Sequence, residues 1–193
     1  MTSTIRTIFQ TSAQLKEKLS SDESFIGAVG QGAALLAEAA KAGGTIFSCG
    51  NGGSTCDAMH LTEELIARYK RNRPGIRAMH FMDSSVITCW GNDFSYETAF
   101  ERYAETFCSS RDVLIAISTS GNSKNIIAAA RAAKAKSCKV VALTGNDGGQ
   151  LAALGDVSIV VPSQATERIQ EVHITVIHAW CELLETQYGL ASS

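Results

Sequence analysis

Twice in this chain a short apolar run stops at a turn of glycine and hydroxyl residues, and the sequence then restarts as a helix. The first run, Thr45 to Ser48, precedes Gly50-Asn51-Gly52-Gly53-Ser54 and a helix from about Ser54 to Arg71. The second, Asp112 to Ile117 (DVLIAI), leads into Ser118-Thr119-Ser120-Gly121-Asn122-Ser123 and an alanine-rich helix to about Lys136. Apolar runs of this length, without polar alternation, are strands buried on both faces, as in parallel sheets covered by helices. Ala78 to Met82, Lys139 to Leu143 and Val157 to Val161 read as three more, and a long helix from about Thr166 to Tyr188 closes the chain. The predicted fold is therefore α/β, a five-stranded parallel sheet flanked by helices. Ligands of such sheets bind at the carboxyl ends of the strands, where both turns fall.

Helical periodicity fills the N-terminal segment through Ile5, Ile8, Phe9 and Leu15, then Phe25, Val29, Ala33, Leu36 and Ala40, and Gly43-Gly44 ends it. This predicts helices over about 1–42 and an α/β core over about 43–193. Only Pro74 and Pro162 occur, and no linker or repeat divides the 193 residues, so the chain reads as one domain. Seventeen basic residues against nineteen acidic ones give a net charge of −2. That balance offers no broad attraction to nucleic acid or to an anionic membrane, so any bound anion needs a local site. No apolar run has the length of a signal peptide or a membrane span, which predicts a cytoplasmic protein. Cys49, Cys56, Cys89, Cys108, Cys138 and Cys181 are scattered without a CxxC pair and read as small buried thiols. Cys49 and Cys56 stand beside the first turn.

The first turn, SCGNGGS, offers glycine backbone and a helix N-terminus, both suited to an anion. Asp83 follows the next strand, as a ribose-binding acid would, but Thr55 occupies the place of the third glycine in GxGxxG. That mismatch argues against a nicotinamide cofactor. The second turn places Ser118, Thr119 and Ser120 in a row before Gly121-Asn122-Ser123, more hydroxyl groups than one helix cap requires. It suits a phosphate monoester, and without a Walker lysine it does not suit nucleotide hydrolysis.

His60 and Glu64 are four residues apart and share a helix face, a spacing compatible with a metal site, while Glu63 points about 100° away. The closing helix carries Arg168, Gln170, Glu171, His173 and His178. Gln170 and His178 are separated by about 12 Å of rise and about 80° of rotation. Gln170 and His173 converge more easily, so spacing alone favours His173.

The segments SCGNGGSTCDAMHLTEEL, GND at Gly91 to Asp93, STSGNS, ALTGNDGG and RIQEVHITVIH together resemble the phosphoheptose isomerases of the sugar-isomerase (SIS) domain superfamily. The resemblance runs in order from about residue 4 to residue 187. It implies conversion of sedoheptulose 7-phosphate to D-glycero-D-manno-heptose 7-phosphate, the first step toward the heptose of lipopolysaccharide. It also implies a homotetramer with sites near subunit interfaces, and one Zn2+ per subunit held by His60, Glu64, Gln170 and His178. Asn51, Gly52, Gly53, Glu64, Asn92, Asp93, Ser118, Thr119, Ser120, Ser123 and Gln170 match substrate-contacting positions. On ligands the resemblance replaces His173 with His178. A neighbouring subunit, or a bent final helix, would supply the reach that spacing denies.

Aldose–ketose isomerisation moves a proton between C1 and C2 through an enediol, and so needs a base and an acid. Glu64 fits the base and His178 the acid. A carboxylate bound tightly to zinc is a poor base, so Glu64 either coordinates loosely or alternates between roles. A second reading is a non-catalytic SIS protein that binds the bacterial replication initiator. His60, Glu64, His178 and the GND segment, which a pure binding module does not need, favour the isomerase.

Overall fold

The structure, a computed structural model, describes residues 1–187 and Gly189. Two helices, α1 (Thr2–Ser20) and α2 (Glu23–Lys41), come first. They part where the Asp22 carboxylate accepts the Ser24 and Phe25 N–H groups and caps α2. There follow β1 (Ile46–Cys49), α3 (Gly53–Ile66), β2 (Ala78–His80), α4 (Ser84–Asp93), a single 3-10 turn (Tyr96–Thr98) and α5 (Ala99–Phe107). The remainder is β3 (Val113–Ser118), α6 (Lys124–Ala135), β4 (Lys139–Gly145), α7 (Gly149–Ala152), β5 (Val157–Val161) and α8 (Thr166–Thr186).

All five strands are parallel, in the order β2-β1-β3-β4-β5. Alternation along each strand feeds two separate cores. Val113, Ile115 and Ile117 pack with Val141, Leu143 and Ile159 beneath α2, α3 and α8, and Leu19 of α1 joins them. Leu114 and Ala116 pack with Phe47, Val140 and Ala142 beneath α4, α5, α6 and α7. Both faces are covered, which is why the strands read as unbroken apolar runs. From β1 the chain moves outward to β2, then returns across β1 to β3 on its other side. The crevice between the carboxyl ends of β1 and β3 is therefore the switch point of the sheet.

Two expectations need correction, one on the length of a helix and one on the exposure of two cysteines. The helix predicted to Arg71 ends at Ile66, because residues 67–75 form a separate loop tied to α8. Sequence reasoning also leaves α4 and α5 unassigned. The expected end of the last helix at Tyr188 lies outside the described residues, and α8 is described to Thr186. Among the cysteines, Cys49, Cys108, Cys138 and Cys181 are buried as expected, but Cys56 and Cys89 lie on the outer faces of α3 and α4 and are exposed.

Candidate active site

The two glycine/hydroxyl turns meet at the switch point. β1 delivers Gly50 to Ser54 and β3 delivers Ser118 to Ser123, and each turn opens a helix whose N-terminus favours an anion. Gly52 has φ of 55°, a left-handed conformation that glycine adopts without cost. A Cβ on Gly53 would lie 2.4 Å from Nε2 of Gln170, so the missing side chain lets α8 lay that amide against the start of α3. Asn51 and Asn125 exchange two side-chain hydrogen bonds of 2.9 Å, and the Tyr96 hydroxyl donates to Asn51 Oδ1 at 2.7 Å. This polar clasp joins the two loops. Neither Asn125 nor Tyr96 stood out in the sequence, since an amide inside an alanine-rich helix carries no motif.

The hydroxyl loop closes on itself. Ser118 is buried at the end of β3, and its Oγ donates to Ser123 Oγ at 3.0 Å and lies 3.5 Å from Ser120 Oγ. Ser120 Oγ accepts the Asn122 N–H at 3.1 Å. Three hydroxyl groups thus face one point in front of α6. Thr119 follows Ser118 in the same loop, and its carbonyl accepts from the Asn146 amide.

Further along α3, His60 and Glu64 come together with His178 of α8. His60 Nε2 lies 3.1 Å from His178 Nε2 and 3.3 Å from Glu64 Oε1. One ligand atom from each of the three falls within 4.8 Å of the others. Two imidazole nitrogens and a carboxylate oxygen at such separations are a donor set that suits zinc. Tyr69, in the loop after α3, stacks on the His178 ring with centroids 5.7 Å apart and planes 27° from parallel.

His173, the choice from spacing, is elsewhere. It is fully buried, and its Nε2 meets the Thr144 carbonyl oxygen of β4 at 3.0 Å. Burial lowers its pKa to about 4, with the Thr144 hydrogen bond opposing. It is a neutral core histidine that fastens α8 to the sheet. Helical phase misled because the facing partner of His178 is on α3, which the rotation along α8 alone cannot reveal. Gln170 lies against Gly53, at the loop end of the same α3–α8 seam. Asn92 and Asp93 end α4, exposed, with the Asn92 amide donating to the Asp93 carboxylate at 2.8 Å. Among the described residues they make no hydrogen bond to either loop. Asp83, the conceivable ribose ligand, caps α4 through the Ser85 and Val86 N–H groups, which accounts for it structurally. Asp57, one turn before His60, is buried, and burial raises its carboxyl to about 6 against the pull of His60.

The comparisons with known proteins point the same way. The SIS domain family matches residues 9–145. A phosphoheptose isomerase from Serratia proteamaculans is 50% identical over 184 residues, covering 95% of each chain. One from Hamiltonella defensa is 50% identical over 187 residues, covering 96% of this chain and 91% of its own. Among solved structures, phosphoheptose isomerase from Neisseria gonorrhoeae superposes with a TM-score of 0.90 at 35% identity, covering 96% of this chain and 98% of the other. The Francisella tularensis enzyme also gives a TM-score of 0.90, at 31% identity, covering 94% and 96%.

Proposed function

This chain belongs to the phosphoheptose isomerases of the SIS domain family, and from that premise we propose that it converts sedoheptulose 7-phosphate to D-glycero-D-manno-heptose 7-phosphate. The observation that carries the proposal is the gathering of His60, Glu64 and His178 on the same α3–α8 seam whose loop end holds the hydroxyl and glycine turns. The turns stand at the start of α3 and the acid/base cluster toward its end, and a phosphorylated sugar requires both kinds of group.

In this reading Ser118, Thr119, Ser120 and Ser123 bind the phosphate through hydroxyl and backbone donors, helped by the N-terminus of α6. Asn51, Gly52 and Gly53 line the path of the sugar, and Gln170 contacts it from α8. Asn92 and Asp93, substrate contacts that the family resemblance implies, stand exposed at the end of α4. Glu64 takes the proton from the carbon next to the carbonyl. His178 supplies and removes the proton on the oxygen as the enediol forms and collapses. A carboxylate has two oxygens, so one can face His60 while the other receives the proton. The donor set of His60, Glu64 and His178 fits one Zn2+ per subunit, while Gln170, the fourth ligand that the family resemblance implies, lies against Gly53 at the other end of the seam. Zinc bound there supplies a Lewis acid for the carbonyl oxygen.

The same reading places the protein in the cytoplasm, as a single-domain subunit of a homotetramer making the heptose precursor of lipopolysaccharide. No helix among the described residues is long and apolar enough to cross a membrane. Metal content and turnover of sedoheptulose 7-phosphate by the purified protein test the proposal together. Bound zinc with formation of the aldose is expected. Metal-free, inactive protein that binds the replication initiator would establish the non-catalytic reading.

A further inference from the structure

We propose that Tyr69 is a positioning residue for His178, and that a buried ion pair between Arg73 and Glu185 fixes the loop that presents it. The inference rests on the isomerase reading above, in which His178 handles the proton on the substrate oxygen.

The loop of residues 67–75 has no regular structure, and the placement of Tyr69 depends on what anchors the loop. One carboxylate does most of this. Glu185 accepts the Tyr69 N–H at 3.2 Å, the Lys70 N–H at 3.0 Å and the Arg71 N–H at 3.1 Å. It also accepts Arg73 Nε at 3.0 Å. Both side chains of that ion pair are almost fully buried, at 1% and 2% exposure. Arg73 then donates to the Leu65 carbonyl at 2.7 Å and the Glu64 carbonyl at 2.6 Å, satisfying the orphan carbonyls at the end of α3.

Glu185 lies seven residues after His178, two turns along the same stripe of α8. The pair therefore ties the loop to α8 beneath His178 and to α3 beside Glu64. Out of this frame the Tyr69 ring stacks on the imidazole, while Lys70 lies over the Tyr69 ring at 5.2 Å and pairs with Glu182. His178 Nε2 must face His60 Nε2 for the three-residue cluster to exist. The stacked ring limits rotation of the imidazole away from that direction.

Chemistry that depends on aligned groups is sensitive to such rotation, and ring stacking does not use the Tyr69 hydroxyl. Tyr69→Phe should therefore keep kcat within about twofold, while Tyr69→Leu lowers it by roughly tenfold, the scale of one aromatic contact. KM should hold in both, because the phosphate loop is untouched. Imidazole NMR signals of His178 in the metal-free protein give a readout independent of turnover. One sharp set is expected in the wild type and Tyr69→Phe, and broadened or doubled signals in Tyr69→Leu. If Tyr69→Leu keeps both kcat and a sharp His178 spectrum, or if Tyr69→Phe loses as much kcat as Tyr69→Leu, the positioning role is wrong. Absence of turnover in the wild type would instead refute the isomerase reading, and the two failures are thereby told apart.

Discussion

Replacing His173 with Gln should remove a pH dependence from folding and leave the active site alone. In the native state the imidazole is sealed between α8 and β4, and burial holds its pKa at about 4, against 6.5 in the unfolded chain. Between those values the unfolded chain binds a proton that the folded protein does not. Stability therefore rises with pH through this window, is complete above about 6.5, and is lost as the pH falls toward 4. The gap between 6.5 and about 4 corresponds to on the order of 3 kcal/mol. His173→Gln keeps an N–H donor for the Thr144 carbonyl but cannot titrate. Asp57 acts in the opposite sense, because its carboxyl is raised to about 6 and gives stability below that value. It does so in both proteins and cancels in the difference. Urea unfolding at pH 7, 5.5 and 4.5 should show the wild type losing more stability than His173→Gln, with most of the gap open by pH 4.5. Parallel curves would mean that His173 is not held neutral in the core.

Ser120→Ala and Ser123→Ala should chiefly raise KM, by roughly 1–3 kcal/mol for each charge-assisted hydrogen bond lost, and steady-state kinetics at fixed metal checks this. Unchanged KM in both would move the phosphate elsewhere. Glu185→Ala leaves the Arg73 guanidinium buried without its carboxylate and should cost about 3–5 kcal/mol in urea unfolding. A loss below about 1 kcal/mol would show that the loop anchors itself.

The sheet was legible because its strands are buried on both faces, so DVLIAI and the other runs announced themselves without alternation. The two turns were legible for a related reason: glycine and stacked hydroxyl residues at a strand end have few other uses. α4 and α5 were not, since SSVITCWGND and AFERYAETF each cover only one face of one core. The loop at 67–75 was hidden because its anchor, Glu185, lies more than a hundred residues away in sequence. His60 and Glu64 could be paired from their spacing on one helix. Choosing His178 over His173 needed either the family resemblance or the α3–α8 contact, because a buried histidine and a functional one look alike on a helical wheel. The same limit applies to Tyr69, which no motif distinguishes from an ordinary loop aromatic.

The central claim is that Glu64 moves a proton on a sugar phosphate while His178 serves the oxygen. Turnover of sedoheptulose 7-phosphate in D2O, followed by proton NMR, tests it most directly when wild type and Glu64→Gln are compared at equal bound metal. The wild type should form the aldose and exchange the transferred hydrogen with solvent, and Glu64→Gln should slow both by roughly two to four orders of magnitude at similar KM. Near-normal exchange and turnover in Glu64→Gln would show that another group, Glu63 or Asp93 being next in line, is the base.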